Sequence, residues 1–519
     1  MILCPRSQSG WTKARPGWIL WRSLRWEDRE CNTITGEKVS RDTKIKGKEI
    51  KMKALEHSIA IRTVKIMNIV MITIPFLLCW YLYYASRIDS PYYAKGNWLV
   101  VALFMVLYAV FSHIYDGFLI SLNRVSEMIY SQVLAFLVTD GIMYIVIWLL
   151  TRHLPNVLPG LLAIAGQCLQ SALWSSGAHR WYFAAFQPQR CAIIYDRREG
   201  MEKLIEEYDL AKKFHVEYVV PVERCLENLE QIKDMECVFL SGIHSHERNI
   251  ILKQCMYHNV RVYVIPRVGD MIMSSAKKMH MFHLPMLRVE RFNPLPEYLF
   301  VKRFFDILVS FAALVILSPF MIVTAAAIKL YDHGPVLYKQ NRLTKDGKVF
   351  QVLKFRSMRV DAERDGVARL STGDADDRIT PVGHVIRKIR FDELPQIFNI
   401  LRGDMSIVGP RPERPEIAEQ YEQELPEFRL RLQVKAGLTG YAQVYGKYNT
   451  TPYDKLQMDL MYIATAGFIE DLKICFATIK ILFMPESTEG VAEGQETAMG
   501  EKKTDKKEKG IERRRCENG

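Results

Sequence analysis

A chain of 519 residues with 49% hydrophobic residues has room for roughly two to four domains, and its apolar residues cluster in runs. That pattern excludes a single soluble globule and points to a membrane protein with soluble parts. Of the net charge of +12, residues 1–65 supply most, with fifteen Lys or Arg against seven Asp or Glu. The excess precedes the first apolar run, where a positive-inside bias places it, so nucleic acid is not an expected partner. Ten cysteines with no C-x-x-C or other ligand-like spacing argue against zinc and disulfide frameworks and fit a reduced compartment.

Residues 1–60 form a basic, non-periodic segment expected to be disordered, and they lack the pattern of a cleavable signal peptide. Met52, opening MKALEHS, stands as an alternative start. Four apolar runs follow, Ile66 to Ala85, Trp98 to Tyr115, Tyr130 to Leu150 and Asn156 to Trp174, and define a four-helix transmembrane domain over 61–180. The first three offer almost no polar face, whereas the fourth is interrupted by Pro159, Gly160 and Gln167. Arg62, Lys65, Arg124 and Arg180 fall at one end of these runs and Arg87, Lys95 and Arg152 at the other, a small bias toward a cytoplasmic N-terminus. Asp140 lies within the third run, where helix packing explains an ionisable group as well as function does.

Over 189–290 the β-rich runs CAIIY, HVEYVV, ECVFLSG and VRVYVIP alternate with amphipathic segments. This is the pattern of a βαβ series with a parallel sheet, a Rossmann-like domain. Its first turn, YDRREG, offers only Gly200 where a dinucleotide site needs three glycines, which favours a structural or assembly role over nucleotide binding. His244, His246, His280 and His283 have no matching carboxylate or cysteine cluster and are expected to be ordinary surface or packing residues.

The run from Ile307 to Ile328 holds about 22 residues, enough for about 33 Å of helix and hence for a full crossing. Ser318 and Pro319 sit in its middle, and Lys302, Arg303, Lys329 and Lys339 flank both ends. Pro319 cannot donate to the Val315 carbonyl, so the helix can break there while the Ser318 hydroxyl helps satisfy the freed group. Basic residues at both ends favour a re-entrant helix over 303–330, against the alternative of a kinked spanning helix.

The segment FDELPQIFNILRGDMSIVGPRPE, Phe391 to Glu413, carries the chemistry. Asp392 and Glu393 stand at an expected helix start, with Pro395 in its first turn. Leu394, Ile397, Phe398 and Leu401 form an apolar face, and Asp392, Gln396 and Asn399 a polar one. An isolated acid pair there would read as a cap. Here Lys354 and Arg356 in KFRSM, Arg387 and Arg390 before the pair, and Arg411 fixed between Pro410 and Pro412 make a plausible diphosphate site with a divalent cation. Phosphoryl transfer is the natural class, and a carboxylate attacking phosphorus would split one displacement into two.

The stretches KRFFDILVSFAALVILSP, YKQNRLTKDGKVFQVLKFRSMR, DDRITPVGHVIRKIRFDELPQ, RGDMSIVGPRPE and VKAGLTGYAQVYGK together resemble the bacterial sugar transferase family of polyprenyl-phosphate hexose-1-phosphate transferases. These initiate exopolysaccharide and O-antigen synthesis. The resemblance runs from about Lys302 to Lys473, and the preceding membrane runs and sheet domain match the family's larger form in architecture. It implies a monotopic catalytic domain over 298–480 in which Asp392 attacks the β-phosphate of a UDP-sugar, releases UMP and carries the sugar phosphate to a polyprenyl phosphate, taken as undecaprenyl phosphate. It further implies that Glu393 helps hold Mg²⁺, that Arg387 and Arg411 bind phosphate, and that the helix over 303–330 is re-entrant. Ala436 stands where the family usually has Pro, and Lys447 where Arg is common.

An even number of preceding spans leaves this domain on the cytoplasmic side of a bacterial inner membrane, where nucleotide sugars are. A catalytically silent scaffold or regulator of polysaccharide assembly is the alternative function, disfavoured by the intact acid and Pro-Arg-Pro motifs. A transporter is disfavoured by the scarcity of ionisable residues in the spans. The segment FIEDLKICFATIKILFM is expected along the membrane surface, a homodimer is plausible on size, and the charged tail 486–519 is expected to be disordered.

Overall fold

The computed structural model describes residues 36–89, 95–359, 378–446 and 450–482, and the chain divides into two compact units, Met1–Ile61 and Arg62–Gly519. The tail, Lys447 and residues 1–35 lie outside the described residues. Helix α1 spans Gly36–Cys79, so it begins inside the segment expected to lack order. A π-helical turn, Trp80–Tyr84, extends it.

α2 (Lys95–Ile114), α3 (Val125–Thr151) and α4 (Leu158–Ala185) complete an N-terminal bundle. Its centre is aromatic, with the Phe76 and Phe104 rings stacked 4.3 Å apart, and Trp80, Tyr108 and Phe136 are fully buried. Shape alone would leave the helices free to slide, but a polar seam fixes them. Tyr108 donates to Asn68 Oδ1 at 2.7 Å, Asn68 Nδ2 and Ser171 Oγ both donate to Gln132 Oε1, and Gln132 Nε2 donates to the Gly117 carbonyl at 3.0 Å. The network centred on Gln132 thus links all four helices, α2 joining through Tyr108 and Asn68, as polar side chains do in membrane bundles.

Among the described residues, the helices long and apolar enough to cross a membrane are His57–Tyr84, Lys95–Ile114, Val125–Thr151 and Pro296–Asp332. The fourth expected run forms α4 within the bundle but does not meet that measure. Its buried face carries Gln167, Ser171 and Ser175, which lower its apolarity.

The two ends of the bundle differ. At one, Lys65 lies over the Phe118 ring, and Lys213 and Arg124 bond to Ser121 Oγ and the Glu207 carbonyl. At the other, Arg152 pairs with Asp89 at 3.3 Å and Arg87 covers the Tyr83 ring.

A sheet domain follows α4: β1 (Gln189–Tyr195), α5 (Met201–Glu207), β2 (Phe214–Pro221), α6 (Val222–Glu227), β3 (Cys237–Ser241), α7 (Ser245–Tyr257), β4 (Arg261–Val264) and α8 (Val268–Ser274). The strands are all parallel in the order β2-β1-β3-β4, with Cys191 opposite Cys237 and Cys237 opposite Arg261. Both faces are covered, Ala192, Ile194, Val238 and Leu240 on one and Cys191, Ile193 and Phe239 on the other. This explains why these strands read as unbroken apolar runs. An exposed antiparallel hairpin, β5 (Lys277–Met281) and β6 (Leu284–Arg288), then leads to α9 (Pro296–Asp332).

The last region contains the antiparallel pair β7 (Leu337–Leu343) and β8 (Val349–Phe355), then α10 (Pro381–Lys388), α11 (Gln396–Arg402), β9 (Ser406–Val408) and α12 (Pro415–Glu424). It closes with β10 (Gly437–Thr439), α13 (Tyr441–Tyr445), α14 (Pro452–Thr465) and α15 (Phe468–Leu482). α15 leans on the bundle: Phe476 meets the Phe111 ring at 5.0 Å, and Lys480 Nζ donates to the Tyr115 carbonyl at 3.1 Å.

β9 and β10 pair so closely that side chains are excluded between their flanks. A Cβ on Gly437 would lie 2.1 Å from the Gly409 nitrogen. Gly437→Ala is expected to lower stability by about 2 kcal/mol or more through overpacking. Gly269→Ala in α8, where a Cβ would meet nothing within 4 Å, serves as control. Thermal unfolding in detergent checks both, and equal melting temperatures for the two variants would contradict the close approach.

Candidate active site

The acid pair is fixed by what flanks it. Thr380 caps α10 by accepting from the Gly383 nitrogen at 2.9 Å, and a Cβ on Gly383 would lie 2.0 Å from the Ser357 carbonyl oxygen, so α10 is pressed beside the end of β8. After α10 the chain turns through Arg390, a non-glycine residue in the left-handed region at φ 57°. Phe391–Glu393 then forms a single 3₁₀ turn. Phe391 and Leu394 join Met321 and Ile328 of α9 and Phe355 and Ile386 in one apolar cluster, so the carboxylates between them are held against the second half of α9.

The acid pair therefore precedes α11 rather than opening it, and Pro395 is the residue before its first turn. This changes the expected faces. α11 buries Gln396, Ile397, Asn399 and Ile400, while Phe398 is exposed. Asn399 does not share a polar face with Asp392. It accepts from the Leu353 nitrogen at 3.0 Å and donates to the Gln351 carbonyl at 2.8 Å, satisfying the edge of β8 one residue before Lys354.

Lys354 and Arg411 converge on one carboxylate oxygen: Lys354 Nζ lies 2.8 Å and Arg411 Nη2 3.0 Å from Glu393 Oε1. Burial opposes the charge of Glu393, yet these two cations overcome it and hold the carboxyl far below the usual range. Asp392 moves the other way. Burial raises its pKa, the charge of Glu393 adds to the rise, and Lys354, Arg387 and Arg411 offset it only in part. Adjacent carboxyls with opposite shifts are a recognised arrangement for dividing two roles. Among the described residues no ion pair reaches Asp392 within bonding distance.

Other expected site residues fall into place differently. Arg387 and Arg390 act on the pair through their charge, Arg387 on Asp392 and Arg390 on Glu393. Pro410 is buried and Pro412 half-buried, with Arg411 exposed between them. Arg356 is turned away: it is buried and bonded to Asp332 at the end of α9, its guanidinium packed where a Cβ on Gly334 would stand. A buried charge needs a partner, and α9 supplies it. Ser318 Oγ donates to the Val315 carbonyl at 2.9 Å, the carbonyl that Pro319 leaves without a donor.

Residues not singled out from sequence hold the Pro-Arg-Pro loop. Arg342 Nη1 donates to the Pro412 carbonyl and Arg431 Nη2 to the Arg411 carbonyl, each at 2.9 Å. Arg431 is paired with Asp459 at 2.7 Å, and both arginines face Glu413. Only Glu413, next to the motif, carried a local signal. Ala436, where proline is usual, donates its N–H to Thr344 Oγ1 at 3.1 Å, a bond proline could not make.

Among the described residues no group of three or more His, Cys, Asp or Glu is placed to hold a metal ion. Two adjacent carboxylates suit Mg²⁺ only where substrate phosphate oxygens complete its shell, which is its usual mode in phosphoryl-transfer sites.

Residues 297–485 match the model of the family described as bacterial sugar transferase. The UDP-N-acetylgalactosamine-undecaprenyl-phosphate N-acetylgalactosaminephosphotransferase of Aeromonas hydrophila is 38% identical over 234 residues, which cover 44% of this chain and 54% of that protein. The UDP-glucose:undecaprenyl-phosphate glucose-1-phosphate transferase of Klebsiella pneumoniae is 42% identical over 183 residues, 34% of this chain and 39% of that one. The exopolysaccharide production protein PSS of Rhizobium leguminosarum bv. phaseoli is 40% identical over 190 residues, 35% of this chain and 94% of that one. The similarity thus spans about half or less of the first two relatives and nearly all of the third. The acid pair, its clamp and the Pro-Arg-Pro loop all fall inside the matched region, and the chain belongs to the bacterial sugar transferase family.

Proposed function

We propose that this protein transfers a sugar 1-phosphate from a UDP-sugar to undecaprenyl phosphate, releasing UMP, as the first membrane step of exopolysaccharide, capsule or O-antigen synthesis. The asymmetry of the acid pair carries the reading. Glu393 is committed to Lys354 and Arg411, whereas Asp392 stands among positive charges with a raised pKa. In this reading an Asp392 oxygen bonds to the β-phosphorus, the bond from that phosphorus to the bridging oxygen breaks, and UMP leaves with that oxygen. A phosphate oxygen of the lipid then displaces the carboxylate, which regains its charge. Lys354, Arg387 and Arg411 bind and orient the diphosphate. Glu393 would help hold Mg²⁺ together with phosphate oxygens, and the ion would offset the charge crowded at the diphosphate.

The contacts of α9 support a placement at the membrane. Near its start, Arg303 donates to the Ile400 and Leu401 carbonyls and Asp306 accepts from the Ile407 nitrogen. Its far half packs beside Phe391, and Asp332 holds Arg356. Both ends therefore meet the same body, and that body rests through α15 on the bundle end that carries the 116–124 loop. Exposed Phe311, Ile316, Phe320 and Val323 lie between. This supports a re-entrant α9 with Ser318 and Pro319 near its middle, and a monotopic catalytic domain on the cytoplasmic face of the inner membrane. The parallel order β2-β1-β3-β4 likewise supports a Rossmann-like domain beside it.

Wild-type protein given UDP-sugar, Mg²⁺ and undecaprenyl phosphate is expected to release UMP, and Asp392→Asn to lose at least about a thousandfold of that rate. Radiolabelled sugar phosphate should be trapped on the peptide containing Asp392. UDP as product would indicate ordinary glycosyl transfer, and no nucleotide product from any of a panel of UDP-hexoses would favour a silent scaffold.

The pH profile offers a separate check. Lys354 lowers the Asp392 pKa, so Lys354→Gln should raise it further, and the acid limb of kcat/KM for UMP release should move to higher pH. A limb that stays or moves down would mean that Asp392 is not the group it reports.

A further inference from the structure

In the parallel sheet the connections reverse between β1 and β3, with β2 on one side of β1 and β3 and β4 on the other. In open α/β sheets that switch point, at the carboxyl ends of the strands, is where small ligands bind. Here the chain itself fills the place. Arg198, in the loop after β1, is only 7% exposed at its side chain and pairs with Asp454 Oδ1 of α14 at 2.7 Å, with its guanidinium 4.9 Å from the centre of the Tyr453 ring. Ser241 at the end of β3 donates to the Arg198 carbonyl at 2.9 Å. Gln457 of α14 donates to the Pro266 carbonyl just beyond β4, and Val268 of α8 packs in one cluster with Leu456, Leu460 and Ile463. Other polar groups at this edge bond to one another. His244 bonds Arg267 at 2.9 Å and faces Asp196 at 3.7 Å, while Asp270 takes Arg248 in a two-pronged pair.

α14 makes a second polar contact on another face. Asp459 follows Asp454 by five residues, roughly 140° around the helix. It holds Arg431, Arg431 holds the Arg411 carbonyl, and the Arg411 guanidinium reaches Glu393. We propose that the carboxyl edge of the parallel sheet is a seat for α14 rather than a nucleotide site, and that Arg198 and Asp459 are positioning residues that set Arg411 against Glu393 through that helix. Its kinetic consequences rest on the transferase reading above. A displacement of about 1 Å at a phosphate-binding group is enough to slow a displacement reaction markedly.

Double-mutant cycles test this. Asp454→Asn and Asp459→Asn should each raise the KM for UDP-sugar about tenfold, within the range that contacting groups couple, and leave the KM for undecaprenyl phosphate nearly unchanged. In an Arg411→Ala background neither should add a further change. Arg198→Lys, which keeps the charge, should stay close to wild type, while Arg198→Ala should follow Asp454→Asn. Additive effects, or equal changes in both KM values, would overturn the proposal. Hydrogen exchange of the full-length protein gives a readout without turnover: the 409–413 backbone should exchange faster in Asp454→Asn and Asp459→Asn while 189–195 stays protected. An unchanged loop would overturn the proposal even where wild type releases UMP. A responsive loop in a protein that releases none would uphold the brace and remove the transferase reading alone.

Discussion

The structure depends on keeping two neighbouring carboxylates partly out of water without letting their repulsion open the turn that carries them. Two cations from separate parts of the chain meet at Glu393 Oε1, and each is itself held. Lys354 sits at the end of a strand whose edge is completed by Asn399, and Arg411 sits on a loop whose carbonyls are taken by Arg342 and Arg431. With one carboxylate neutralised by position, the other is left with the higher pKa. The chemical division between Asp392 and Glu393 thus comes from surroundings rather than from side-chain type.

The turn's other anchor is apolar. Phe391 and Leu394 share a cluster with Met321 and Ile328, so the acid pair is tied to α9, a helix long and apolar enough to cross a membrane. Farther back along that helix, Lys302 pairs with Asp471 of α15 at 2.7 Å, and α15 rests on the bundle near Tyr115. The turn that carries the acid pair is thus fixed from two directions, by α9 on one side and, through Lys302 and α15, by the bundle on the other.

Much of this could be read from the sequence where the signal was local. The parallel-strand runs form the sheet, Glu393 and Arg411 of the two motifs meet at 3.0 Å, and Ser318 bonds the carbonyl that proline frees. Charge at the run ends also sorted Lys65 and Arg124 from Arg87 and Arg152. Helical phase was harder, because a 3₁₀ turn before Pro395 shifts which residues face inward, exposing Phe398 and burying Asn399. Arg356 looked like Lys354 in the same motif, yet it lies just past the end of β8, and its partner Asp332 ends helix α9. Arg431 and Asp459 gave no sign, since nothing in spacing joins them to residue 411.

Those long-range ion pairs share a physical character. Arg198 with Asp454, Arg431 with Asp459, Arg356 with Asp332 and Lys302 with Asp471 are largely shielded from water, and each joins segments far apart in the chain. Desolvation offsets much of the attraction in such pairs, so a well-packed apolar contact would stabilise the fold about as well. An apolar contact, however, tolerates sliding by a fraction of a turn, and a buried arginine does not, because a shift leaves its charge unmatched. Around a turn whose Glu393 meets two cations on one oxygen, register matters more than added stability. α14 is where this requirement concentrates. It is fastened by Asp454 to the sheet domain, by Asp459 to Arg431, which holds the Arg411 carbonyl, and by the Tyr462 hydroxyl to Asp471 at 2.8 Å.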